Sequence, residues 1–138
     1  MIARKTSRWQ AVAKEMMTIQ GFGGSGFMTK EILQDALHTP VFQDCIDRDT
    51  WCPIGPGARR GLARVYGLPV KTRFSDTEGL SNMLDLFDER VDYWPKGLVK
   101  LELHDIQFQL CEFDKYERVK LGEGRPRSKY KIKGKKVI

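Results

Sequence analysis

Long apolar runs are missing from this chain. No stretch approaches the roughly 18 uninterrupted apolar residues that a membrane-spanning helix needs, so no membrane span is expected. Cysteine is scarce: Cys45, Cys52 and Cys111 form no C-x-x-C pair. An odd count without a framework argues against a disulfide scaffold and for free thiols in a reducing compartment. Cys45 and Cys52 with His38 match no standard zinc spacing, so no metal site is expected. The leading residues run into a polar-faced helix and carry no apolar signal core; the expected location is the cytoplasm. Strand-like alternation and internal repeats are also lacking.

Acidic residues are absent from two zones. Residues 125–138 hold seven basic groups and no acid, and they include Arg125, Arg127 and Lys129. Of the 24 lysines and arginines seven lie here, against 18 acids all placed elsewhere, so the tail supplies the whole net charge of +6. The second zone, Gly55–Arg73, carries Arg59, Arg60, Arg64, Lys71 and Arg73 without an acid, while acids gather in Asp76–Asp92. A basic face with an acidic back suits a polyanion, nucleic acid above all. The plainer reading of such a tail is that it keeps the chain soluble.

What is present reads as helices. With 138 residues, 41% of them apolar, a single domain with a packed core is expected. Apolar residues recur at helical spacing over Thr6–Thr18 (Trp9, Val12, Ala13, Met16, Met17) and Phe27–Leu37 (Phe27, Met28, Ile32, Leu33, Ala36). Between them, Gly21 to Gly26 holds four glycines, which demands a tight turn. Pro56 opens a third helix that Gly67 ends. Ser75 opens a fourth, with Glu78 three residues on as a capping box. The fifth spans about Glu102–Leu121, with Leu103, Ile106, Leu110, Phe113 and Val119 turned inward. The fold class is therefore all-α: a helical domain over 1–121 and a basic tail over 122–138.

Three segments carry candidate chemistry. Pro53–Gly61 reads Pro-Ile-Gly-Pro-Gly-Ala-Arg-Arg-Gly. Free N–H groups of the helix start at Gly55 and Gly57, beside Arg59 and Arg60, make a candidate phosphate pocket. The competing reading is a loop–helix junction with two solvated arginines. Helix, glycine hairpin, helix over residues 6–37 is the helix-hairpin-helix layout, in which exposed N–H groups near Gly21, Gly23 and Ser25 contact DNA phosphates without reading sequence. An ordinary corner between two helices would look the same. In the last helix Asp105, Gln109, Glu112 and Tyr116 recur at three or four residues, and Lys115 can pair with Glu112; a solvated face explains this as simply.

The blocks His104-Asp105-Ile106-Gln107, Leu110-Cys111-Glu112-Phe113-Asp114-Lys115-Tyr116 and Gly122-Glu123-Gly124-Arg125 together resemble the C-terminal signature of the alpha-glutamyl/putrescinyl-thymine pyrophosphorylases. These phage amino acid:DNA transferases are related to the helical domain of 5-hydroxymethyl-deoxyuridine DNA kinases. The hairpin over Gly21–Leu33 and the pair Asp49-Thr50-Trp51 and Gly55-Pro56-Gly57-Ala58 match further elements of that family in the same order. The resemblance implies a fold like that of helix-hairpin-helix DNA glycosylases. It also implies a phage-encoded role in DNA hypermodification: an amine or amino acid displaces (pyro)phosphate from a phosphorylated 5-hydroxymethyluracil base. The implied partners are DNA with modified thymine, the amine co-substrate and a DNA kinase. Two departures stand out. About 18 residues precede the hairpin, fewer than in the family, so a fragment, a split product or a reduced homologue is expected. Phe108 stands where the family often has Asn.

Such a transfer needs a base for the amine and a cradle for the leaving phosphate. Asp35, Asp49 and Glu112, the last with Lys115, are the candidate proton acceptors, although a carboxylate with an ordinary pKa of about 4 is a weak base. Arg59, Arg60 and Arg125 are candidates to hold the phosphate with their forked donors, and Trp51 is a candidate to stack on an extruded base. No cofactor is evident; a phosphate leaving group is compatible with Mg²⁺, for which no dedicated site shows. A non-catalytic DNA-binding domain is the alternative. A glycosylase or lyase using Lys30 is a third reading, set against Lys30 simply lying exposed on an amphipathic helix.

Overall fold

A computed structural model describes residues 8–24 and 26–124. Ser25, Arg125, Arg127 and Lys129 lie outside the described residues, as does most of the basic tail. Within them are five helices: α1 (Trp9–Met17), α2 (Phe27–Ala36), α3 (Pro56–Val65), α4 (Asp76–Tyr93) and α5 (Leu103–Lys120). No strand occurs among the described residues, and none of these helices is long and apolar enough to cross a membrane.

Local chemistry sets most helix ends. At α4 the Glu78 N–H donates to Ser75 Oγ (3.1 Å) and the Ser75 N–H donates to Glu78 Oε2 (2.8 Å), which completes the expected capping box. Pro56 occupies the first turn of α3 after extended Gly55, and Gly67 follows its end at φ 63°. The turn between α1 and α2 uses Gly21, Gly24 and Gly26 at positive φ, a region that L side chains avoid.

The start of α1 is capped from a distance. Arg8, at its N-cap, contributes no side-chain bond. Instead, buried Asp47 accepts the Trp9 N–H at Oδ1 (2.9 Å) and the Gln10 N–H at Oδ2 (3.0 Å), while the Trp9 indole N–H donates to the Asp47 carbonyl (3.2 Å). Two orphan donors of the first turn are thereby satisfied by the loop before α3. Asp47→Ala is expected to cost about 2 kcal/mol, the upper end for a cap loss because one bond is buried and the other part-buried. Urea unfolding checks it, and an unchanged midpoint would contradict this role.

Arg48 extends the same junction: its Nε donates to Glu102 Oε1 (2.8 Å) and an Nη donates to the Leu37 carbonyl (2.8 Å), tying the end of α2 to the start of α5. His104 is buried beside it, with Nδ1 3.4 Å from Glu102 Oε2 and Nε2 3.6 Å from Asp105 Oδ1. Burial pulls its pKa below 6.5, outweighing Asp105 and Glu102, which pull upward; Arg48 and His38 add to the lowering. A depressed pKa means the fold favours neutral imidazole, so this stability is present above about 6.5 and lost as pH falls through the folded value. Melting temperatures between pH 7.5 and 5 are expected to fall less for His104→Gln than for the parent chain. Equal slopes would contradict that assignment.

The core is formed by Trp9, Leu37, Leu62, Met83 and Leu103, all fully buried, with Val12, Leu33, Phe87 and Leu110 around them. The principal seam lies between α3 and α5. A Cβ added at Gly57 would stand 2.9 Å from Cys111 Sγ, and one at Gly61 would collide with the Leu110 carbonyl. The glycines thus let backbone approach backbone, with Ala58 and Leu62 filling the same face.

Two expected faces need correcting. Of the expected α2 stripe, Leu33 is buried and Ala36 packs on the core, but Phe27, Met28 and Ile32 are exposed and Thr29 and Lys30 are buried in their place. Thr29 Oγ1 donates to the Phe22 carbonyl (2.9 Å), which turns this face toward the hairpin. Lys30, expected to be exposed, is only 4% exposed, with its ammonium over the Phe108 ring. On α5, Leu103 and Leu110 do turn inward, but Phe113 and Val119 are exposed, and His104, Gln107 and Asp114 take buried positions instead.

Candidate nucleic-acid interface

Two of the sequence blocks that suggested chemistry, the start of α3 and the middle of α5, meet along the α3–α5 seam. Gly55, Gly57 and Arg60 come from the start of α3; Gln107, Cys111, Glu112, Asp114 and Lys115 come from α5; Lys30 joins them from α2. Contact is direct: Gln107 Nε2 lies 3.6 Å from the position a Gly55 Cβ would take. The Lys30 ammonium sits 5.9 Å from the Phe108 ring centre, and Arg60 Nε donates to Asp114 Oδ2 at 2.7 Å.

The charges at this face are paired, and Arg60 is the arginine there with an exposed side chain. Around half-buried Cys111 stand the cations Lys30, Lys115 and Arg60, each paired with a carboxylate: Glu31, Glu112 and Asp114 respectively. Burial still pushes the Cys111 thiol up, and Cys52, behind it, is pushed to about 12. Both therefore stay protonated at neutral pH, which removes them as thiolate nucleophiles. The N-cap of α3, Gly55, makes no side-chain hydrogen bond, which leaves the positive end of the helix dipole without a capping acceptor from that residue. Gln107 is 3% exposed and its Oε1 has no partner among the described residues.

A recess that no α5 residue lines borders the Pro53–Pro56 segment. It measures about 460 Å³ and is bordered by Lys14, Gly24, Trp51, Arg59, Asp76 and Leu80, among others. Trp51 is half-buried there and meets Trp9 edge to face, with ring centres 5.0 Å apart. Arg59 is already engaged: its guanidinium donates to the Phe74 carbonyl and pairs with Asp76. It braces the loop before α4 against the start of α3, whereas Arg60 points to α5.

The remaining candidates are dispersed. Asp35 is exposed near the end of α2. Asp49 pairs with Lys100. Glu112 pairs with Lys115 at 2.5 Å, as the spacing suggested. Of the three carboxylates only Glu112 is at the α3–α5 face, and none of them borders the large recess. Gly21 and Gly23 sit in the α1–α2 turn, both exposed.

Sequence reasoning missed Asp114. It is fully buried and accepts from Arg60 Nε and from Arg64 Nε (3.0 Å), while Arg64 also pairs with Glu123. The signal was the four-residue spacing of Arg60 and Arg64, which puts both on one face of α3.

A family model for the helical domain of 5-hmdU DNA kinase matches residues 3–125. The chain belongs to that family. Searches of curated proteins and of solved structures returned no match. Membership in the 5-hmdU DNA kinase helical-domain family ties the chain to 5-hydroxymethyluracil in DNA and to thymine hypermodification. The matched span takes in the glycine turn, the Gly-Pro-Gly-Ala segment and the whole of α5.

Proposed function

We propose that the α3–α5 face binds a phosphate of DNA carrying 5-hydroxymethyluracil, and that the chain transfers an amine or amino acid onto the phosphorylated base. The observation that supports this is the meeting of the α3 and α5 sequence blocks at a face that holds the start of α3, where the N-cap makes no side-chain bond, and the partly exposed guanidinium of Arg60. In the transfer, the neutral amine nitrogen attacks the 5-methylene carbon. The C–N bond forms as the C–O bond to the (pyro)phosphate breaks. The amine's proton leaves to a carboxylate, for which Glu112 is the candidate at the face. Arg60 and the α3 N–H groups meet the charge that builds on the leaving phosphate. The α1–turn–α2 unit serves as a helix-hairpin-helix element for the DNA backbone.

A second reading is a non-catalytic DNA-binding domain acting with a DNA kinase. Glu112 favours it, because that carboxylate is already paired with Lys115. The glycosylase reading loses ground, since Lys30 is buried and its ammonium pairs with Glu31 at 2.6 Å.

One experiment separates these readings. The chain is incubated with DNA bearing phosphorylated 5-hydroxymethyluracil and candidate amines, with and without Mg²⁺, and the nucleosides are analysed by mass spectrometry. An amine adduct is the expected product. Binding without product supports the accessory domain, abasic sites support the glycosylase, and absence of binding contradicts the whole reading.

A further inference from the structure

Arg60 is built differently from the other arginines at the seam. Its side chain is 38% exposed, yet its Nε is fixed by a carboxylate that is 1% exposed. That carboxylate, Asp114, cannot swing away, because Arg64 Nε holds its other oxygen at 3.0 Å and Arg64 is itself 7% exposed and bonded to Glu123. The terminal nitrogens of Arg60 have no partner among the described residues. Arg59 lacks this freedom, since its terminal nitrogens are committed to Phe74, Ile54 and Asp76. A guanidinium held at Nε with its terminal donors free is pre-organised for the oxygens of a phosphate. A lysine at the end of a mobile stem is not.

We infer that Asp114 is a positioning residue: it holds Arg60 as a fixed fork that grips a phosphate oxyanion of the DNA substrate. This rests on the proposed reading of the α3–α5 face. The phosphate has two sources, the DNA backbone and the phosphorylated base, and both present the same oxygens. Asp114 is too buried to touch DNA itself. Its oxygens are taken by Arg60 and Arg64, so it acts only through them. Glu123, bonded to Arg64, completes the chain of contacts and anchors the segment that leads into the basic tail.

The test measures binding of the full chain by fluorescence anisotropy across a salt series. The probes are two duplexes of one sequence, with 5-hydroxymethyluracil either free or phosphorylated. Arg60→Gln is expected to weaken binding about tenfold and to lower the slope of log affinity against log salt by about one phosphate contact. Equal loss on both duplexes assigns the backbone phosphate; loss confined to the phosphorylated duplex assigns the base phosphate. Arg60→Lys keeps the charge and is expected not to restore affinity, because the fork is lost. Asp114→Asn, verified as folded by circular dichroism, is expected to reproduce the Arg60→Gln loss. The double variant is then expected to be no weaker than Arg60→Gln alone.

An unchanged salt slope and affinity for Arg60→Gln would overturn the inference. So would full rescue by lysine, or losses from the two sites that add. Should Asp114→Asn not fold, the Arg60→Gln and Arg60→Lys comparison still decides. If the parent chain binds neither duplex, the proposed function fails; if it binds and Arg60→Gln binds equally well, only this inference fails.

Discussion

Gly61→Ala is expected to destabilise the domain by about 3 kcal/mol, the upper end for overpacking a tight interface. Elsewhere in a helix the same change would gain about 1 kcal/mol of propensity. Here the added Cβ would run into the Leu110 carbonyl oxygen and come within 2.8 Å of its carbon and 3.0 Å of its Cα. These are backbone atoms of α5, so no rotamer change relieves the overlap and the helices must separate. Separation would also draw Arg60 and Arg64 from Asp114. For a chain of 138 residues, 3 kcal/mol corresponds to a drop of roughly 10 °C in melting temperature. A melt at or above that of the parent chain would show that α3 and α5 do not pack this closely.

Asp114→Ala carries the second large effect, again about 3 kcal/mol. Removing the carboxylate takes the partner of Nε from the Arg64 guanidinium, whose side chain is 7% exposed, and leaves it only the half-exposed Glu123. The cost lies in the buried Nε donor left unpaired and the charge left under-compensated more than in the worth of the pair. Arg60, more than a third exposed, can be rehydrated and adds little. Exchanging Arg64 for methionine in the same chain removes the under-compensated charge, leaves the half-exposed Glu123 to water, and is expected to recover part of the loss. Chemical denaturation of the single and double variants checks this, and additive losses would contradict it. Because Gly61 and Asp114 serve one seam, their losses are expected not to add.

Helix positions were legible because local chemistry determines them. Ser75 with Glu78, Pro56 at a first turn and Gly67 at an end each act within a few residues. Which face turns inward on α2 was only partly legible. Phe27, Met28 and Ile32 are the apolar choice, but Thr29 is tied to the hairpin and Lys30 lies over Phe108, a residue of α5. Asp47 and Asp114 were hidden for a related reason. A carboxylate reads as solvated until its partners are known, and those partners lie far away in sequence.

The Pro53–Gly61 segment shows both sides of the matter. Its glycines and arginines were readable as an anion site, and Arg60 and the start of α3 keep that role within the proposal. Yet Gly57 and Gly61 are required by close helix packing, and Arg59 braces a neighbouring loop. Sequence alone does not tell a glycine that admits a phosphate from one that admits another helix. Here one short segment contains both demands.

The most direct test of the proposed interface is chemical-shift mapping of the labelled chain on titration with DNA bearing phosphorylated 5-hydroxymethyluracil. The expected perturbations centre on Gly55–Arg60 and on Gln107–Lys115, with the Arg60 side-chain resonance among the largest. Perturbations confined to the acidic face of α4 or to the recess around Trp51, with residues 55–60 and 107–115 unmoved, would contradict the account.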